Sequence, residues 1–286
     1  TEGAQIAINK ATEFTAVLAD PDSVKDFFTG MEENSGVKVT AENKLIITGG
    51  CVCGCGTPSD EVVWVDAAQY LTELSKLETA NNTIAENVHL KLSADLSVTE
   101  IYGVAKQISM KPAEGETIKV TIDLNGFTWS SNHRMYVYAG TELTIMDSSD
   151  AQTGVMTSTG SSSQSSGRVI INYGTINLLS GTLTMTEEGA AYIKTGGVIY
   201  QSNGTINMYG GAIIGGRVDD KDSTVGTGGN ISIRNGEFNI YGGVISGGVG
   251  TNGYNIYVMA NGTLNIHNDN VVVGNEGDDT LGIYRA

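Results

Sequence analysis

Apolar and polar residues alternate with a period of two in short runs that recur through the second half of the chain. The runs GTINL (174–178), GTINM (204–208), GEFNI (236–240) and GTLNI (262–266) put Ile176/Leu178, Ile206/Met208, Phe238/Ile240 and Leu264/Ile266 on one side of an extended segment. Thr175/Asn177, Thr205/Asn207/Tyr209, Glu237/Asn239/Tyr241 and Thr263/Asn265/His267 fall on the other side. The central glycines Gly174, Gly204, Gly236 and Gly262 are 30, 32 and 26 residues apart, and Gly140 in AGTELTIMD lies 34 before the first. Each copy holds three short β-rich runs separated by Gly, Asn or Ser. A period of this size means one supersecondary unit stacked on copies of itself. The aliphatic positions would stack inward as a continuous core, and their alternates would form one flat sheet of Thr, Asn and aromatic columns. At the usual strand spacing, six or seven coils make a rod about 30 Å long.

The pattern changes upstream. In residues 1–50, Phe14, Val17 and Leu18 share a helical spacing, as do Val24, Phe27 and Phe28, with Pro21 between them. VKVTAENKLIITGG then alternates like a hairpin, Val37/Val39 against Leu45/Ile47. This predicts a small N-terminal α+β unit over 1–50, a Cys-rich connecting loop over 51–61, and a larger body over 62–286. In that body Asp66 is placed to cap a helix over 66–78 whose apolar positions are Ala67, Tyr70, Leu71, Leu74 and Leu77. The first coil of a solenoid has open strand edges and an open core, which such a helix would cover. Three segments read as turn insertions: the Ser/Gly-rich 148–167, the acidic RVDDKDSTVGTGG (217–229) and GNEGDD (274–279). The chain opens at Thr1 without Met and stops at LGIYRA in mid-pattern, so a processed start and a native protein that continues past Ala286 are expected.

The order of the helix DAAQYLTELSKLE, then HLKLSADLSV, TIDLNGFTW and the repeats NGTINMYGG and NGEFNIYGG resembles right-handed parallel β-helix proteins. Pectin-lyase-like repeats of this kind occur in large secreted or surface proteins of bacteria, and the resemblance covers roughly residues 62–286. It implies an all-β, right-handed parallel β-helix with an N-terminal capping helix. It implies little about activity, because the fold carries lyases, hydrolases, adhesins and inert stalks.

Charge narrows the partners. The chain has 16 Lys+Arg against 32 Asp+Glu, a net −16, which disfavours nucleic acid because phosphate binding needs clustered cations. No run of 18 apolar residues exists, so no helical transmembrane segment is expected. A β-helix hydrolase needs convergent carboxylates, and Asp219 and Asp220, with Asp222 and Arg217 beside them, are the nearest approach to a set. A solvated loop is the competing explanation. Asp219, Asp220 and Asp222, or Glu276, Asp278 and Asp279, have oxygen ligands for calcium at close spacing, but neither group matches a known calcium loop. Cys51, Cys53 and Cys55 in CVCGCG form a candidate zinc site, with His89 the nearest histidine for a fourth ligand. One strained disulfide plus a free thiol, a bond to another chain, and three reduced thiols in the connecting loop are the alternatives, the last being the plain structural explanation.

The outward face of the repeat is the most specific feature. Asn177, Asn207, Tyr209, Asn239, Tyr241 and His267 are the candidate ligand-binding residues, suited to a glycan or a surface protein. The same columns have a structural explanation, since Asn ladders hydrogen-bond along a solenoid and aromatic columns stack. An ice-binding array would be a regular Thr-x-Thr, and Glu237 interrupts this face. The expectation is a secreted or cell-surface β-helix with a structural and adhesive role, non-catalytic, open to end-to-end self-association. The alternative is a polysaccharide lyase or glycoside hydrolase acting near the 217–222 loop.

Overall fold

The computed structural model describes residues 14–17, 37–39, 44–47, 62–77, 82–102, 107–160, 168–186, 195–218, 227–250, 252–267, 271–274 and 282–286. The chain divides into two compact units, Thr1–Val63 and Trp64–Ala286. In the first, Lys44–Ile47 is the central strand of an antiparallel sheet, flanked by Phe14–Val17 and Val37–Val39. The expected hairpin is present, with Val37 opposite Ile47 and Val39 opposite Leu45. Phe14–Val17, expected to be helical, is instead a strand paired from Phe14↔Ile47 to Val17↔Lys44. Three apolar residues within five positions do not define a helical period, and pairing with a β-rich neighbour decides the outcome. Val24, Phe27, Phe28 and Cys51, Cys53 and Cys55 lie outside the described residues.

The second unit is a right-handed parallel β-helix with three sheets, taken here in coil order. The first sheet holds Thr83–Ile84, Ile108–Met110, Met135–Val137, Ile170–Asn172, Ile199–Gln201, residues 231–233 and 256–258, and Ile283–Arg285. The second holds Trp64–Asp66, Val88–Lys91, Ile118–Asp123, Thr141–Met146, Thr175–Leu178, Thr205–Met208, and residues 237–240 and 263–266. The third has seven strands: Leu96–Ser97, Thr128–Ser131, Val155–Ser158, Thr182–Met185, Ala212–Ile214, Val244–Ser246 and Val272–Val273. Seven third-sheet strands give seven complete coils, at the upper end of the sequence expectation. The first two sheets fuse where Ile231–Ile240 and Ile256–Ile266 run unbroken around their shared corner, with an irregularity between Ile233 and Asn235.

Val155–Ser158 departs from the expected loop over 148–167. Its serines and threonines mask a period of two in which Met156 and Ser158 are buried, and it pairs on both sides within the third sheet.

The core is the set of inward columns. Ile176, Leu178, Ile206, Met208, Phe238 and Ile240 are all buried, as their alternation requires. Each such side chain contributes about 1.5–3 kcal/mol by leaving water. Leu264 is half-buried and Ile266 is 47% exposed, because among the described residues no strand stacks on 263–266. Helix α1 (Ala67–Lys76) takes the place of a third-sheet strand before the first coil. Asp66 caps it by accepting from the Gln69 N–H at 2.8 Å, and Ala67, Leu71 and Leu74 enter the core. Helix α2 (Val98–Tyr102) packs against α1.

The corner between the first and second sheets depends on glycine. Gly204 has φ +79°, and a methyl there would strike the Gly174 carbonyl of the coil before. Buried amides secure the same corner. Asn172 accepts from the Gly174 N–H at 3.0 Å and donates to Gln201 at 2.7 Å, and Gln201 donates to the Gly204 carbonyl at 2.8 Å.

Candidate functional site

The second sheet aligns the outward residues in register, Asn177↔Asn207↔Asn239↔Asn265 and Thr175↔Thr205↔Glu237↔Thr263. The asparagines form one unbroken amide ladder. Asn265 donates to Asn239 at 2.8 Å, Asn239 to Asn207 at 3.1 Å, and Asn207 to Asn177 at 3.0 Å. Asn177 ends the ladder by donating to the Glu142 carboxylate at 2.9 Å, and Lys119 pairs with the other oxygen at 3.8 Å. Each internal amide thus spends one N–H and one oxygen lone pair on its neighbours. What Asn177 and Asn207 keep for a ligand is the second N–H and an oxygen lone pair, while Asn239 is buried and its oxygen also faces His267 Nε2 at 3.4 Å.

The next column is aromatic. Tyr209 and Tyr241 stack with centroids 5.0 Å apart, and Tyr241 and His267 at 4.4 Å, both 8° from coplanar. Tyr241 therefore has an aromatic ring on each face, whereas among the described residues Tyr209 and His267 each have one. Tyr209 is 43% exposed, and burial followed by the neighbouring Tyr241 raises its hydroxyl pKa, so the phenol stays protonated at neutral pH. The structure thus brings all six candidate binding residues, Asn177, Asn207, Tyr209, Asn239, Tyr241 and His267, into one strip across four coils.

The other candidates are placed differently. Asp219, Asp220 and Asp222, and Glu276, Asp278 and Asp279, lie outside the described residues. Arg217 stands at the corner between the third and first sheets, bridged to Val249, with its backbone N–H donating to the Met185 sulfur at 3.3 Å. His89 lies outward on the second sheet, edge-on to Trp64 at 5.6 Å, and burial lowers its pKa. Among the described residues no three His, Cys, Asp or Glu side chains gather as a metal site.

Two buried carboxylates escaped the sequence reading. Asp123 accepts from the N–H groups of Asn125 and Ser148, each at 2.9 Å, and pairs with Lys91 at 3.0 Å. Asp147 accepts from the N–H groups of Gly126, Ser149 and Gly154. They are turn anchors one coil apart: backbone donors take both Asp147 oxygens and Asp123 Oδ1, while Asp123 Oδ2 accepts from Lys91 and the Ser148 hydroxyl. The signal was present in IDLNG and IMDSS, where an aspartate ends a strand just before a turn. A second buried pair, Asn230 and Asn255 at 2.9 Å, binds the N–H groups of Gly216 and Gly248 at the opposite corner.

No protein-family model, curated protein or solved structure matches the chain. The class, a right-handed parallel β-helix, follows from strand pairing and register alone.

Proposed function

We propose that the protein is a secreted or surface-displayed rod with a structural and adhesive role, akin to the pectin-lyase-like bacterial repeat proteins that its sequence resembles. The second sheet presents the Asn177–Asn207–Asn239 strip and the Tyr209–Tyr241–His267 column to a glycan or a surface protein. One observation carries this: the strip is locked in register before any ligand arrives, by four amide hydrogen bonds and two ring stacks. A rigid surface loses little side-chain entropy on binding, so weak contacts spread over several coils can add up to adhesion. The contact groups would be the exposed parts of Tyr209 and His267 and the spare amide hydrogens.

A glycan array probed with the wild-type chain and with Tyr209→Ala tests this, beside reducing-end and unsaturated-uronide assays on the same sugars. The expected result is binding that Tyr209→Ala weakens, without turnover. Turnover of any polysaccharide would replace this function with that of a lyase or hydrolase working near Arg217 and residues 219–222.

A further inference from the structure

We infer that the first sheet carries a separate anion-binding patch, built from Lys111, Arg134 and stacked tyrosines, that takes an acidic peptide segment of a partner protein. Tyr136, Tyr138 and Tyr173 form a second aromatic stack, with centroids 5.7 and 6.0 Å apart and rings within 18° of coplanar. Cations cover this column and its neighbour. The Lys111 ammonium lies 5.6 Å from the Tyr138 centroid, the Arg134 guanidinium 5.3 Å from that of Tyr136, and the Arg168 guanidinium 5.2 Å from that of Tyr200. Arg134 also donates to the Tyr136 hydroxyl at 2.7 Å. Three cations thus meet four tyrosines over adjacent coils of a chain whose net charge is −16.

Arg168 supplies the field from beneath. Only 8% exposed, it donates to the carbonyls of Thr195 and Gly196 at 2.8 and 3.1 Å and to the Thr195 hydroxyl at 3.3 Å. All these oxygens belong to uncharged groups. Burial, and then repulsion from Arg134, pull its pKa down to about 10, so it stays a cation at neutral pH. A nearby anion would relieve both penalties.

The rings reinforce the same sign. An aromatic ring is negative on its face and positive at its edge. Here stacking and cations occupy faces, which leaves positive edges and O–H donors turned outward. Burial raises the Tyr138 pKa, which keeps its proton available. Lys111 is exposed and Arg134 half-buried, so these two make the direct contact.

The chemistry favours peptide carboxylates over a sugar. Covered rings offer little face for a pyranose to stack on, whereas a guanidinium fork matches an Asp or Glu carboxylate. Tyrosine and arginine are also the side chains on which protein partners gain most of their binding energy.

Fluorescence anisotropy with a labelled Glu/Asp-rich peptide, its Gln/Asn counterpart and a labelled sulfated oligosaccharide tests the assignment on the intact chain. The acidic peptide is expected to bind, more weakly as salt rises, and the neutral one not to bind. Lys111→Gln with Arg134→Gln should weaken binding about tenfold or more, as loss of two charge-assisted contacts implies. Lys111→Gln alone, at an exposed site where folding is not at risk, should show part of that loss. Lys76→Gln, which removes a cation from the surface of α1, should change nothing. Equal binding of both peptides, binding of the oligosaccharide alone, no binding at all, or a folded double variant with unchanged affinity would each overturn the proposal. None of these outcomes bears on the second-sheet strip, which holds none of the substituted residues.

Discussion

The first and second sheets solve the same problem with different neighbours. Both stack aromatic rings nearly parallel; on the second sheet each step crosses one coil, whereas on the first Tyr136 and Tyr138 share a coil and only Tyr173 lies on the next. Beside the second-sheet column stands the amide ladder Asn177–Asn207–Asn239–Asn265, whose amides are neutral and which ends on the Glu142–Lys119 pair. The first-sheet column has Lys111, Arg134 and Arg168 around it. Similar ring stacking therefore stands beside a column of amides on one sheet and among cations on the other. In a solenoid, the chemistry of a surface is decided by which column lies beside which, more than by the residues of any one column.

The contrast can be tested by breaking what the faces share and then what they do not. Phe238→Ala removes the largest side chain of the second-sheet core near the corner strands and should cost about 3–5 kcal/mol in chemical denaturation. Because coils couple mainly to their nearest neighbours, hydrogen exchange should quicken around residues 205–208 and 263–266 while the Tyr136–Tyr173 stack keeps its protection. Loss of protection across both faces alike would show the sheets to be one cooperative unit. Arg168→Met strips two carbonyls of their buried donor and should cost about 1–3 kcal/mol, falling on the first sheet alone. Asn207→Ala cuts the amide ladder at an open surface and should cost only about 1 kcal/mol.

The smallest effect is a pH dependence. Burial holds the imidazoles of His89, on the second sheet, and His133, beside Arg134, below the ordinary value of 6.5. The unfolded chain therefore takes up protons that the folded chain resists. Stability is complete above pH 6.5 and declines as pH falls through 6.5 toward the lowered folded values. Thermal unfolding at pH 7.5 and 5 should show the fall, and His133→Gln should flatten part of it. Unchanged slopes in that variant would assign the effect to His89.

The sequence made the second sheet legible and the first obscure, for a physical reason. Thr-x-Asn and Ile-x-Leu alternate within a single strand, so inward and outward sides of Thr175–Leu178 can be told apart locally. The same holds for helix α1, whose cap and apolar stripe lie within one segment. The cationic patch is instead spread one or two residues per coil, and Arg134, Arg168 and Tyr200 become neighbours only once the register is known. Asn172 and Gln201 were hidden for the opposite reason: they are polar residues at inward positions, serving glycine corners that alternation alone does not reveal. Phe14–Val17 shows the lower limit, since four residues are too few to distinguish a helical from an extended period.

The direction of the strand-pairing hydrogen bonds has a mechanical consequence. Parallel coils bond to the coils above and below, so those bonds lie along the axis of the rod. A tether pulling on the ends would load three ladders at once across each coil boundary, and no single ladder could open alone. The boundary with the shortest pairing then sets the breaking force. Among the complete coils this is the boundary between the first and second, where the first sheet pairs only Thr83↔Ser109 and Ile84↔Met110 and the third only Leu96↔Trp129 and Ser97↔Ser130. Under tension this junction, close to the capping helix α1 and away from the amide ladder, is where the rod would yield.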